Sequence, residues 1–126
     1  MFVDPMCSFS VRAMQQLKPL IDAKRLQVAV IPIAILDHED DGRSTSSALS
    51  LLSVSPELMV ASWSQGEVGT PSSPDAPLRL SANRAAADVI GLRGTPTLLW
   101  RKADGSEGRS DGMPADLNAF VASIGR

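Results

Sequence analysis

The chain has 126 residues, of which 44% are hydrophobic and 21% charged, enough for one domain and wrong for a disordered segment. A net charge of −2, a pI near 5.2 and 4% aromatic residues leave no basic stripe for nucleic acid. One cysteine excludes an internal disulfide and, beside one histidine, a cysteine-based zinc site. No apolar run reaches the roughly 18 residues of a membrane span. No charged n-region or apolar h-region follows Met1, so the chain as written is expected in the cytoplasm; a trimmed piece of an exported protein would open the same way.

In chain order, residues 2–4 read as a short strand ended by Asp4-Pro5, since the residue before a proline is pushed to extended geometry. From Ser8 to about Lys24, Val11, Met14, Leu17, Leu20 and Ile21 recur at helical spacing, which predicts a helix with one buried face. Pro19 lies inside it, where a missing N–H is expected to kink it. Leu26–Leu36 is β-branched and almost continuously apolar, the pattern of a central strand covered on both faces, ending or bulging at Pro32. Asp37–Arg43 reads as a polar turn. Residues 44–53 and 56–63 read as two short helices, the second capped by Ser55 with Pro56 at its first position. Gln65–Pro77 is rich in Gly, Ser and Pro and predicts a surface loop. Ser81 is expected to cap a helix through Gly91, with Ala82, Ala85, Ala86, Val89 and Ile90 on its apolar face. An apolar strand follows Gly94-Thr95-Pro96-Thr97, Ala103-Asp104-Gly105 is a hairpin turn, and residues 108–112 form the last strand. Met113-Pro114 opens a closing helix with Leu117, Phe120, Val121 and Ile124 on its apolar side.

Cys7 sits where the first strand gives way to the first helix. Unpaired N–H groups and the positive end of the helix dipole favour a thiolate there, the nucleophilic form of cysteine. The competing interpretation is a buried, inert cysteine acting as a small hydrophobe. Its position after Asp-Pro, with Thr95-Pro96 downstream, favours the nucleophile.

The segment Phe2-Val3-Asp4-Pro5-Met6-Cys7-Ser8-Phe9-Ser10, followed by a helix with an internal proline and later by Gly94-Thr95-Pro96-Thr97, resembles the thioredoxin-fold disulfide oxidoreductases. It is most similar to the catalytic domain of the DsbC/DsbG thiol:disulfide interchange proteins. The resemblance covers nearly the whole chain. It implies an α/β, thioredoxin-like fold with a central mixed sheet, as a single domain 1–126 with a helical insertion at about 44–80. It also implies a cis Thr95–Pro96 bond packed against Cys7, where an extended substrate peptide pairs, and a tuning role for Ser8 and Phe9. Met6 is either at the substrate surface or in the core.

The family motif is Cys-x-x-Cys, whereas here Ser10 stands at the second cysteine. Serine cannot attack a mixed disulfide, so the chain cannot cycle as an ordinary dithiol catalyst. Four alternatives stay open: isomerase-like monothiol interchange, exchange with glutathione or rescue of a sulfenylated cysteine, an engineered trap for the mixed disulfide, and a non-catalytic module that binds peptides or partner proteins at the Cys7/Pro96 face. The Ser10 hydroxyl can still hydrogen-bond the thiolate. The expected partners are protein thiols and disulfides, glutathione or a membrane thiol reductase, with no cofactor and no metal. The resemblance implies a periplasmic protein, monomeric as written and dimeric if an N-terminal domain is missing. His38, among Asp37, Glu39, Asp40 and Asp41, reads as part of a solvated charge run rather than a metal site.

Overall fold

The computed structural model of the chain describes residues 1–66, 70 and 73–125. Its elements run β1 (Phe2–Val3), α1 (Ser8–Asp22), β2 (Ile31–Pro32), α2 (Asp37–Asp40), α3 (Arg43–Leu51), α4 (Pro56–Ser64), α5 (Ala76–Val89), β3 (Thr97–Arg101), β4 (Glu107–Asp111) and α6 (Leu117–Ser123). The strands form a mixed sheet in the order β2-β1-β3-β4. β1 runs parallel to β2 and antiparallel to β3, and β3 pairs antiparallel with β4. This is a thioredoxin-like α/β fold, with its elements in the order that the sequence predicts.

Several local expectations are corrected. The apolar run 26–36 is not a central strand: only Ile31–Pro32 is strand, at the edge of the sheet. Pro32 lacks an N–H for an outer neighbour, which an edge position tolerates. Asp37–Asp40 is a short helix rather than a turn; Asp41 and Gly42 follow it in left-handed geometry. α5 starts at Ala76, with Pro77 in its first turn, so Ser81 lies inside the helix and caps nothing. Its inward positions are Asn83, Ala87 and Ile90, whereas Ala82, Ala85, Ala86 and Val89 are exposed. α6 starts at Leu117, capped by the Asp116 carboxylate, which accepts from Ala119 N–H at 2.9 Å. Of the predicted loop 65–77, residues 67–69, 71 and 72 lie outside the described residues.

α1 runs on through Pro19 and buries Ser10, Ala13, Met14 and Leu17, while Val11 is exposed. Met14 and Leu17 join Val3, Leu51, Leu52, Leu98, Phe120 and Val121 in the main core. Burial of such side chains is worth about 1.5–3 kcal/mol each. Trp100 crosses Phe120 edge-to-face at 4.8 Å, and its indole N–H donates to Ser123 Oγ at 3.0 Å. Trp100 lies directly opposite Gly108 across the hairpin.

The chain around Cys7 is anchored by Asp4, a carboxylate with no solvent exposure. Its Oδ1 accepts from Met6 N–H at 2.9 Å and lies 3.0 Å from Ser44 Oγ, whose one proton it shares with Asp40 Oδ2 at 2.7 Å. Its Oδ2 accepts from the N–H groups of Ile35 and Leu36, at 2.8 and 3.2 Å. One side chain thus ties the loop before α1 to the segment after β2 and to α3. The Trp63 indole N–H adds a bond from α4 to Pro5 O at 3.4 Å.

Two predictions follow from this packing. A Cβ on Gly108 would lie 2.2 Å from the Trp100 ring. Gly108→Ala is therefore expected to displace Trp100 and cost about 1–3 kcal/mol, read by urea denaturation followed through tryptophan fluorescence. Asp4→Ala strands three part-buried N–H donors and is expected to cost about 2–3 kcal/mol in the same assay. An unchanged midpoint would mean that the carboxylate does not hold the loop.

Candidate functional site

Cys7 is the N-cap of α1, with extended backbone at φ −75° and ψ 123°. Its N–H donates to Asp4 O at 2.9 Å, and its carbonyl accepts from Val11 N–H at 3.0 Å. Asp4 therefore holds the cysteine by main chain while its carboxylate holds the loop. The first-turn N–H groups of Phe9 and Ser10 point toward the sulfur's end of the helix and lower its pKa. These are donors that the helix itself leaves unpaired.

Eighty-eight positions along the chain, Thr95 closes the other side. The Cys7 thiol donates to Thr95 O at 3.6 Å. The Thr95–Pro96 peptide is cis. Thr97 Oγ1 donates to Gly94 O at 2.8 Å, and Gly112 N–H donates to Pro96 O at 2.8 Å, so both sides of the turn are tied down.

Ser10 Oγ and Thr95 Oγ1 are shut off from solvent, and neither makes a hydrogen bond of good geometry among the described residues. The group both reach is the Cys7 sulfur. As a thiol, Cys7 donates to Thr95 O, and the two hydroxyls are the side-chain donors that lower its pKa. Unsatisfied buried hydroxyls are costly, so this arrangement favours the ionised sulfur. Burial is the largest single influence on Cys7 and raises its pKa. Hydrogen bonds from the Thr95 side chain, the Ser10 and Phe9 N–H groups and the Ser10 hydroxyl together outweigh it, leaving the thiol below its ordinary value of 9.0.

The structure thus brings Cys7, Ser10, Phe9 and Thr95 together around one sulfur, with Pro96 buried in the adjoining turn. Ser8 is exposed in the first turn of α1, Met6 is exposed before it, and Phe9 stands 64% exposed. A groove of about 220 Å³ opens beside Phe9, lined from α1 by Phe9, Arg12 and Gln16 and on the far side by Thr95, Pro96 and Met113. Arg12, Gln16 and Met113 are not evident as site residues in the sequence. The signal for Arg12 and Gln16 was their spacing from Phe9, since positions three and seven further on share one face of a helix, whereas nothing local marked Met113.

The acidic run after β2 does other work. Asp40 Oδ1 accepts from Ser44 N–H at 3.2 Å and Asp37 Oδ1 from Thr45 N–H at 2.8 Å, so two carboxylates satisfy the open N-terminus of α3. Asp40 is buried, which corrects the expectation of a fully solvated run, whereas His38 is exposed. Among the described residues no group of three or more His, Cys, Asp and Glu side chains is placed to hold a metal ion.

No family model matches the chain. DsbG of Pseudomonas aeruginosa, a thiol:disulfide interchange protein, is 25% identical over 120 residues, which span 90% of this chain and 46% of that protein. A cysteine–tRNA ligase of Beutenbergia cavernae is 38% identical over 86 residues, 67% of this chain but only 17% of the ligase. The chain therefore spans about half the length of one relative and about a sixth of the other. The likeness to DsbG runs over almost all of this chain and agrees with its thioredoxin-like fold.

Proposed function

We propose that the chain carries out thiol:disulfide interchange of the DsbG/DsbC type through Cys7 alone. The observation that carries this reading is the Cys7 sulfur at the start of α1, facing Thr95 and held below its ordinary pKa. The likeness to DsbG supports the same class of chemistry.

In the forward step the Cys7 thiolate attacks one sulfur of a substrate disulfide. The substrate S–S bond breaks, a disulfide forms between Cys7 and the substrate, and the other substrate sulfur leaves as a thiolate that takes up a proton. Cys7 is oxidised and the leaving sulfur reduced, so electrons balance within the exchange. Ser10 has no sulfur to release the product. Release needs a second thiolate, from the substrate protein or from a glutathione-type thiol, which attacks the mixed disulfide and expels Cys7. The net outcome is isomerisation of a substrate disulfide or its exchange with a small thiol.

Ser10 and Thr95 serve as hydroxyl donors to the sulfur, which make Cys7 both a competent nucleophile and a good leaving group. Phe9 and Ser8 present the first turn of α1 to substrate, and Pro96 shapes the wall opposite. Protein thiols as substrates, a membrane thiol reductase as electron donor and action in the periplasm belong to the same reading.

A second reading is favoured by the 9% exposure of Cys7 and by the absent second thiol: a module that binds extended peptides at the Cys7/Pro96 face without turnover. The rate of Cys7 alkylation against pH separates the two. The thiolate is the reacting form, so the rate is expected to rise with pH through a midpoint below 9.0. Ser10→Ala and Thr95→Val are each expected to move that midpoint upward and slow alkylation at pH 7 by about fivefold, the worth of one hydrogen bond. Folding stability shifts in the same sense. The folded thiol is the more acidic, so its contribution is complete above the unfolded value and is lost as pH falls through the folded one. A midpoint at or above 9.0, with no refolding of a scrambled disulfide substrate that depends on Cys7, would leave the binding module as the function.

A further inference from the structure

We infer that Arg12 selects among disulfide substrates, favouring those that carry a carboxylate beside the reacting sulfur. This rests on the interchange reading and names the substrate chemistry of that same groove.

Arg12 lies in α1 five residues past the cysteine, on the face that lines the groove with Thr95 and Pro96. Its guanidinium carbon stands 5.8 Å from the centre of the Phe9 ring, which supports it from beneath by a cation–π contact. Asp22 pairs with Lys18 at 2.7 Å and Asp111 pairs with Arg109 at 3.0 Å. Among the described residues Arg12 pairs with neither of these nor with any other carboxylate. Among the described residues it is the only ionisable side chain lining the groove; the Gln16 amide, a further turn along, adds a neutral donor and acceptor. Elsewhere the groove is apolar or backbone, with Pro96, Met113 and the Phe9 ring as its walls.

A guanidinium presents a planar fork of N–H donors matched to a carboxylate, and a charge-assisted pair of this kind is about twice as strong as a neutral one. The pair would form in the groove that Thr95 shares with the Cys7 sulfur, where it would hold one end of a disulfide whose other end reaches the thiolate. It would also stabilise the anion-bearing mixed disulfide that Ser10 cannot resolve. Two sources share this chemistry: a small peptide thiol of the glutathione kind, and an acidic residue flanking a cysteine in a protein.

The test uses the intact chain and the rate at which Cys7 opens disulfides of different charge. The probes are neutral 4,4′-dithiodipyridine, anionic 5,5′-dithiobis(2-nitrobenzoate), oxidised glutathione, and disulfides of the model peptides Ac-Glu-Cys-NH2 and Ac-Gln-Cys-NH2. Arg12→Met keeps much of the stem over Phe9 and removes the charge; Arg12→Lys keeps the charge and loses the fork. The neutral probe corrects for any change in the thiolate fraction of Cys7. Relative to it, Arg12→Met is expected to slow the anionic probe by about tenfold, with Arg12→Lys in between, and 1 M salt is expected to shrink the difference. A loss confined to oxidised glutathione assigns the carboxylate to a small thiol; a loss confined to the Glu-Cys peptide assigns it to a protein flank. Equal ratios of anionic to neutral rate in wild type and Arg12→Met would overturn the inference while leaving interchange intact. Failure of wild-type Cys7 to open the neutral disulfide would instead remove the interchange reading itself.

Discussion

The buried carboxylate of Asp4 is the constraint on which the site depends. A carboxyl group without solvent is costly unless it is hydrogen-bonded, and three backbone N–H groups, with the Ser44 hydroxyl it shares with Asp40, meet that demand. Meeting it forces three separate stretches to one point: the loop before α1, the segment leaving β2, and the first turn of α3. The same residue's carbonyl accepts from Cys7 N–H, so the geometry that satisfies the carboxylate also positions the cysteine. Asp37 and Asp40 continue the arrangement by closing the N-terminus of α3. In a run whose His38, Glu39 and Asp41 stay at the surface, two carboxylates thus act as scaffolding.

Around the cysteine, opposing effects act on one sulfur. Burial favours the neutral thiol, and four donors favour the thiolate. The donors prevail because two of them come from a helix terminus with nothing else to bond, and two are hydroxyls with no better partner. Ser10 is therefore more than a lost cysteine. It occupies the position of a second thiol, stays fully buried, and offers hydrogen-bond donation where a cysteine would offer exchange.

The order of elements was readable because each has a strong local signal: helical spacing in α1, the Asp-Gly turn between β3 and β4, and the Ser-Pro start of α4. The errors fell where tertiary packing overrides local preference. The apolar run Leu26–Leu36 has the composition of a central strand, yet β1 claims the middle of the sheet and leaves this run at the edge. In α5 the small residues offered two plausible faces, and the one centred on Ala87 turned inward because it meets Phe2 and Ile33. Asp116 rather than Met113-Pro114 starts α6, since a carboxylate that can reach Ala119 N–H satisfies a helix end better than a proline two residues earlier.

What the amino-acid order determined alone is the kind of chemistry available: one thiol at a helix start, a serine where a second thiol would stand, and a Thr-Pro pair before a strand. These are properties of residue type and short spacing, which local backbone preference expresses directly. Tertiary structure decided which groups touch that thiol. Thr95 stands 88 positions from Cys7, Ser44 stands 40 from Asp4, and the far wall of the groove comes from a third region at Met113. Contacts at such separations follow from the pairing of β1 with β3 and from the packing of α1 across the sheet, and no local pattern encodes them.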